Sequence, residues 1–191
     1  MFHRFFGSPT ATDEPAPTPA AAPVVDPTGE TATVRRIVAR LEAMPPERAR
    51  LAAAAAYTIA RAANADMDIS AEETAVMEQA LQSDDRLDEP TAILVTEMAK
   101  LQAKTVGSTE DYVVTRELKH LTTMEQRMAV LQACFAVTAA DGSISAEESA
   151  IVNEIANELD IDAEGLNAVR AKYHDLLSSV QAVRRAAGQT D

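Results

Sequence analysis

The sequence predicts an all-α protein: a compact bundle of seven to eight helices, with an internal two-fold duplicated helical unit and a disordered N-terminal tail. Hydrophobic residues make up 47% of the 191 residues but aromatic residues only 4%, so small and aliphatic side chains must supply the core. From Thr33 onward, apolar residues recur at spacings of three and four, which is typical of amphipathic helices. An eight-residue acidic motif also occurs twice. Together these features exclude an all-β barrel or sandwich.

Residues 1–31 are expected to form the disordered tail, because six prolines stand there among alanine, threonine and acidic residues. The tail opens with an aromatic head, residues 1–6, which holds three of the four phenylalanines. A docking peptide for a membrane surface or a partner protein, and an unselected flexible end, both remain open for this head. The helical domain is expected to span residues 32–188.

The first two predicted helices meet at a pair of prolines. Residues 34–41 place four apolar side chains on one helical face, and Pro45 with Pro46 stops that helix. Pro46 also suits the first turn of the second helix, which is rich in alanine and runs to about Asn64.

The later helices are predicted from capping residues and apolar stripes. All of their expected first residues are serine, threonine or aspartate, whose side chains cap helices, and Thr122 has Glu125 in capping-box spacing. The last helix is expected to run from Asp162 to Arg185 without a break. The predicted starts after Pro46 are, in chain order, Ser70, Asp88, Ser108, Thr122, Ser145 and Asp162.

The most informative feature of the sequence is a repeat. Residues 66–73 (Asp-Met-Asp-Ile-Ser-Ala-Glu-Glu) and 141–148 (Asp-Gly-Ser-Ile-Ser-Ala-Glu-Glu) align without gaps at an offset of 75 residues, and six of the eight positions are identical. We call them the first corner and the second corner. Each follows an alanine-rich helix and opens an amphipathic one, which predicts repeat units of about 47–82 and 122–159. One duplication favours a closed two-fold bundle, since an open solenoid needs at least about three repeats.

The two corners and the long segment between them resemble the TerB-like tellurite-resistance family over roughly residues 47–177. In the second corner, Asp141 and Gly142 followed by Glu148 in the next helix's first turn are similar to the family's signature. The first corner departs from it, because Met67 stands where the pattern has glycine. A non-glycine residue is strained at positive φ, so the preceding helix is expected to end differently there, using Asn64.

The corners concentrate possible oxygen ligands. Hard divalent cations prefer carboxylate, hydroxyl and carbonyl oxygens, and the second corner holds three carboxylates and two serines within eight residues. The resemblance implies metal binding by such acidic residues, and calcium or magnesium bound weakly is the expected cofactor. In order of priority, the candidate metal ligands are Asp141, Glu148, Asp66, Glu73, Glu147, Glu72 and Asp68.

A standard EF-hand is excluded for both corners. The loop positions that need glycine and a bidentate glutamate are Ala71 and Met77 in the first copy. In the second copy they are Ala146 and Val152. Any cation bound here would therefore have fewer carboxylate ligands and more water.

Other interpretations of the corners stay open. In a purely architectural one, the carboxylates cap helix N-termini and bring favourable charge there, with no ligand. In a metal-free protein-interaction module of co-chaperone type, the acidic faces recruit a basic client. An acid–base enzyme using Asp141 and Glu148 is disfavoured because no substrate pocket or positioning motif accompanies them, so no enzymatic activity is expected.

Net charge and cysteine content limit which partners and which cellular compartment are expected. The 17 basic and 30 acidic residues give a net charge of −13, which disfavours nucleic acid as a partner. The single cysteine, Cys134, falls on the apolar face of its helix and is expected in the core. With no transmembrane-length apolar run and no secretory signal, the chain is expected in the cytoplasm. The resemblance implies other resistance or stress-response proteins as partners, and a peripheral place at the inner membrane face through membrane-associated partners.

Overall fold

The computed structural model describes residues 42–82, 87–105 and 108–188, together with Ala39. Eight complete α-helices and two short 3-10 helices lie within these ranges and no β-strand does, so the predicted all-α fold is confirmed there. The predicted tail, its aromatic head and most of the helix predicted over residues 34–41 lie outside the described residues. The α-helices are α1 (Pro46–Ala63), α2 (Ala71–Gln82), α3 (Glu89–Thr105), α4 (Ser108–Leu121), α5 (Met124–Thr138), α6 (Ala146–Glu158), α7 (Ala163–Ala171) and α8 (Ser178–Gly188). The 3-10 helices are Asn64–Asp66 and His174–Leu176.

Helix α1 is the centre of the bundle. All of its residues from Ala54 to Ala63 are buried, and it packs against α2, α3, α4, α5 and α6. Alanine supplies most of this buried stretch, so neighbouring helices approach closely without gaps. The largest fully buried side chain is Phe135 on α5, whose ring stacks on Tyr173 with the ring centroids 5.5 Å apart.

A buried ion network joins α1 to α4 and α6. Arg61, 7% exposed, donates from Nη1 to Oε2 of Glu158 at 2.7 Å, and Glu158 is itself 8% exposed. Nη2 of Arg61 lies 3.1 Å from Oε1 of Glu154, and its Nε lies 3.8 Å from Oδ2 of Asp111. Tyr57 donates its hydroxyl to Oδ1 of Asp111 at 2.7 Å. Removing one partner of a buried ion pair leaves the other charge buried and unpaired. The residues of this network therefore depend on one another for stability.

The start of α5 differs by one residue from the prediction. Its capping box uses Thr123 and Gln126 in place of Thr122 and Glu125. Thr122 instead donates its hydroxyl to the carbonyl oxygen of Leu118 at 2.6 Å, within the last turn of α4. Thr122 thus bonds to the end of α4, and Thr123 caps the start of α5.

The prediction of a single unbroken helix over residues 162–185 is wrong. The chain forms α7, a 3-10 turn and α8 there, and Leu177 between the last two is extended, with ψ 124°. Ile144 of the second corner donates its N–H to the oxygen of Leu176 at 2.7 Å and accepts from the N–H of Ser178 at 2.9 Å, an isolated parallel β-bridge. These bonds from a distant segment replace helical ones and leave Leu177 packed against the core.

Candidate functional site

The two corners fold into turns with the same hydrogen bonds. Oδ1 of Asp66 accepts from the N–H of Asp68 at 3.1 Å, and Oδ1 of Asp141 accepts from the N–H of Ser143 at 2.9 Å. Each aspartate therefore folds its own turn through one carboxylate oxygen, as aspartates in tight turns commonly do. The second oxygen, Oδ2, takes no part in this turn.

The predicted capping boxes form at both corners. The N–H of Ser70 donates to Oε2 of Glu73 at 2.7 Å, and the N–H of Glu73 donates to Oγ of Ser70 at 3.1 Å. The N–H of Ser145 donates to Oε2 of Glu148 at 2.7 Å, and the N–H of Glu148 donates to Oγ of Ser145 at 3.1 Å. These backbone bonds engage one oxygen of each glutamate and hold both side chains, which are buried, at the starts of α2 and α6.

The expectation that the first corner would end its helix differently from the second is wrong in one respect. Met67 adopts the left-handed conformation with φ 70°, matching Gly142 with φ 92°, although Asn64 does follow the last residue of α1. The N–H of Met67 donates to the oxygen of Asn64 at 3.0 Å, and the N–H of Gly142 donates to the oxygen of Ala139 at 3.0 Å. A Cβ at Gly142 would meet no atom within 4 Å, so glycine is favoured there by φ and not by space.

The corners face each other across one cavity of about 420 Å³. Six of the seven predicted ligands line it, and only Glu72, an exposed residue, does not. The predictions missed Ser178, which lines the cavity because the break before α8 brings it beside Ile144. The acidic lining residues are Asp66, Asp68, Glu73, Asp141, Glu147 and Glu148; the serines are Ser70, Ser143, Ser145 and Ser178.

The carboxylates repel one another across this cavity. Burial raises the pKa of Glu73, hydrogen bonds from Ser70 oppose the rise, and the negative charges of Asp66 and Asp141 add to it. Burial likewise raises the pKa of Glu148, with further contributions from Glu73 and Asp141. Since Glu73 belongs to the first corner and Asp141 to the second, the charges of the two repeats are electrostatically coupled.

The cavity is not a closed cage. Within the ranges described above, no three His, Cys, Asp or Glu side chains come together closely enough to hold a metal ion directly. A water molecule takes about 30 Å³ of liquid volume, so the cavity has room for a cation that keeps part of its hydration shell. Carboxylate and hydroxyl oxygens, which line the cavity, are ligand atoms that calcium and magnesium prefer.

The rest of the molecule offers a second cavity of different chemistry. It measures about 730 Å³, lies among α1, α2 and α5, and is lined mainly by alanine and aliphatic side chains with no acidic residue. No motif in the sequence predicted this cavity. Cys134 is fully buried, as predicted, and burial raises the pKa of its thiol to about 12.

These features define a class of protein: an all-α domain built on a duplicated helix–corner–helix unit whose acidic corners face one cavity. The family model described as tellurite resistance protein TerB matches residues 50–171, more than half of the chain. The chain therefore belongs to the TerB family, which confirms the resemblance noted in the sequence. Comparison with curated proteins and with solved structures gave no significant match. None of the helices within the described ranges is both long and apolar enough to cross a membrane.

Proposed function

We propose that this TerB-family protein binds a divalent cation, calcium or magnesium, in the cavity between its two corners. It acts in resistance to tellurite and related chemical stress through other proteins of that response, without catalysis. The observation that carries this proposal is that both copies of the acidic motif, folded by matching hydrogen bonds, line one cavity.

The exposed carboxylates are the groups that would hold the ion. Asp66, Asp68, Asp141 and Glu147 line the cavity and are exposed, and the turn bonds of Asp66 and Asp141 use only one oxygen of each carboxylate. The capping glutamates contribute negative charge from fixed positions, because backbone bonds hold one oxygen of each. Cations are attracted to such a concentration of like charge, and water fills the remaining coordination positions.

The expected consequence of binding is a change in stiffness at the two corners. A bound cation supplies positive charge that relieves the repulsion between the carboxylates. The corners hold the starts of α2 and α6, so bringing them together restrains how these two helices lie against each other. The surface offered to partner proteins then depends on the cation, as in other ligand-driven switches.

A second candidate is the metal-free interaction module. It is favoured by the absence, within the described ranges, of three acidic or histidine side chains near enough to bind an ion directly. The helix N-termini also stabilise the carboxylates without any ligand. On this reading the acidic cavity attracts the basic side chains of a protein partner.

Calorimetric titration with calcium and magnesium separates the two candidates. The double variant Asp66→Asn/Asp141→Asn keeps a side-chain acceptor for each turn but removes two charges, and should bind calcium at least about ten-fold more weakly. Glu72→Gln is the matched control, because it removes a corner charge outside the cavity and should leave the affinity unchanged. Absence of heat and of any rise in melting temperature for the wild type at millimolar cation would refute the cation proposal and favour the interaction module.

A further inference from the structure

The C-terminal arm, residues 176–188, is attached to the rest of the domain at the second corner. The oxygen of Gly142 accepts from Nε2 of Gln181 at 3.0 Å, and the oxygen of Ile144 accepts from the N–H of Ser178 at 2.9 Å. Ile144 also donates its N–H to the first residue of the arm at 2.7 Å. No residue of α8 is buried. The contacts of the arm with the rest of the domain include these bonds, its two half-buried leucines and an exposed ion pair between Arg184 and Asp175.

The first corner has no comparable attachment in the part of the chain that the structure describes. The equivalent residues there are Met67 and Ile69, and no described residue of a distant element donates a hydrogen bond to their carbonyl oxygens. Among the residues that the structure describes, the two halves of the cavity therefore differ. A distant segment bonds to the backbone carbonyls of the second corner, whereas at the first corner the nearest comparable bond is from the side chain of Asn64 to the oxygen of Ala103.

We infer that the arm positions the second corner for the cation, with Gln181 as a positioning residue; the inference rests on the proposed function. Asp141 directly precedes Gly142, and its Oδ1 is bonded to the N–H of Ser143. A donor on the Gly142 oxygen therefore restrains the turn that carries the Asp141 carboxylate. Ser178 of the arm lines the cavity together with the acidic side chains of the second corner. A ligand group already held in place loses less conformational freedom on binding.

Thermodynamic linkage makes this coupling reciprocal. If the arm raises the affinity for the cation, the cation must stabilise the attachment of the arm by the same factor. The N–H groups of Ile144 and Ser178 form the backbone part of that attachment, so their hydrogen exchange reports on it directly. Calcium should slow exchange at both amides.

The test replaces Gln181 by methionine, which keeps the side-chain length and removes the donor. Calcium affinity of the full-length chain, measured by calorimetry, should fall about three-fold to ten-fold, the effect of losing one hydrogen bond. Gln132→Met is the matched control, because Gln132 is exposed on α5 and does not line the acidic cavity. Hydrogen exchange at Ile144 and Ser178 is measured on the wild type with and without saturating calcium.

The outcomes separate this inference from the proposed function. Calcium that gives no heat with the wild type overturns both. Calcium that binds the wild type and Gln181→Met equally overturns the inference alone, even if the variant melts at a lower temperature, because the arm is then only structural. Should the variant fail to fold, exchange in the wild type decides: amides of Ile144 and Ser178 that calcium leaves unchanged overturn the role of the arm.

Discussion

Exchanging the residue in the left-handed position of each corner should change stability in opposite directions. Met67 and Gly142 close equivalent turns with φ values of 70° and 92°. A residue with a side chain pays about 1–2 kcal/mol in this conformation. The side chain of Met67 is 83% exposed, so little packing offsets that cost.

The size of the effect follows from two opposing terms. Met67→Gly removes the strain but gives the unfolded chain more freedom, which costs about 0.4–1 kcal/mol. The net expectation is a gain of about 0.5–1 kcal/mol in the free energy of unfolding, or about 1–4 °C in melting temperature for a chain of this length. Because a Cβ at Gly142 meets no atom within 4 Å, no steric clash adds to the backbone strain, and Gly142→Ala should lose about the same net amount.

Urea unfolding in the presence of a chelator measures both changes without a contribution from bound cations. Gly188→Ala is the control, because Gly188 has no positive φ and an added Cβ there also meets no atom within 4 Å. A Met67→Gly variant no more stable than the wild type would refute the strain argument. A Gly142→Ala variant as stable as Gly188→Ala would refute it as well.

Two further predictions concern buried charge. Arg61→Met leaves Glu158 as a buried, unpaired carboxylate and should cost about 3–5 kcal/mol in urea unfolding. Arg50→Met breaks only exposed ion pairs, with Glu47 and Glu117, and should cost far less, so equal losses would contradict the burial argument. Burial raises the pKa of Glu73 and of Glu148, so the wild type should lose stability as pH rises above about 4.3, the ordinary glutamate value, when the unfolded chain ionises first. A Glu73→Gln/Glu148→Gln variant, which keeps the capping acceptors, should gain stability relative to the wild type through that range without cations; a difference that stays constant with pH would count against it.

The features that depend on sequence neighbours were predictable. A capping box needs only a serine or threonine and a suitable side chain three residues later, and the boxes beginning at Ser70 and Ser145 form as expected. The burial of Cys134 follows from its place on an apolar helical face. Such local rules operate over one turn of helix, which a single sequence displays in full.

The predictions failed where a distant backbone group decides the conformation. The break before α8 depends on Ile144, whose hydrogen bonds to Leu176 and Ser178 no local pattern announces. Met67 adopts a left-handed backbone conformation because its N–H closes the turn onto the oxygen of Asn64. The conformational preference of methionine by itself does not include this hydrogen bond. The shared cavity could not be predicted from the motif either, since a duplication does not specify which ends of its two units will meet.

The double duty of the capping glutamates has a consequence for how such a domain changes over generations. Glu73 and Glu148 begin their helices and also charge the cavity wall. A substitution that removes the charge of either glutamate also removes the cap of its helix, unless the new residue is glutamine. Selection for a properly folded chain would therefore retain these two charges of the cavity, whatever the cavity binds.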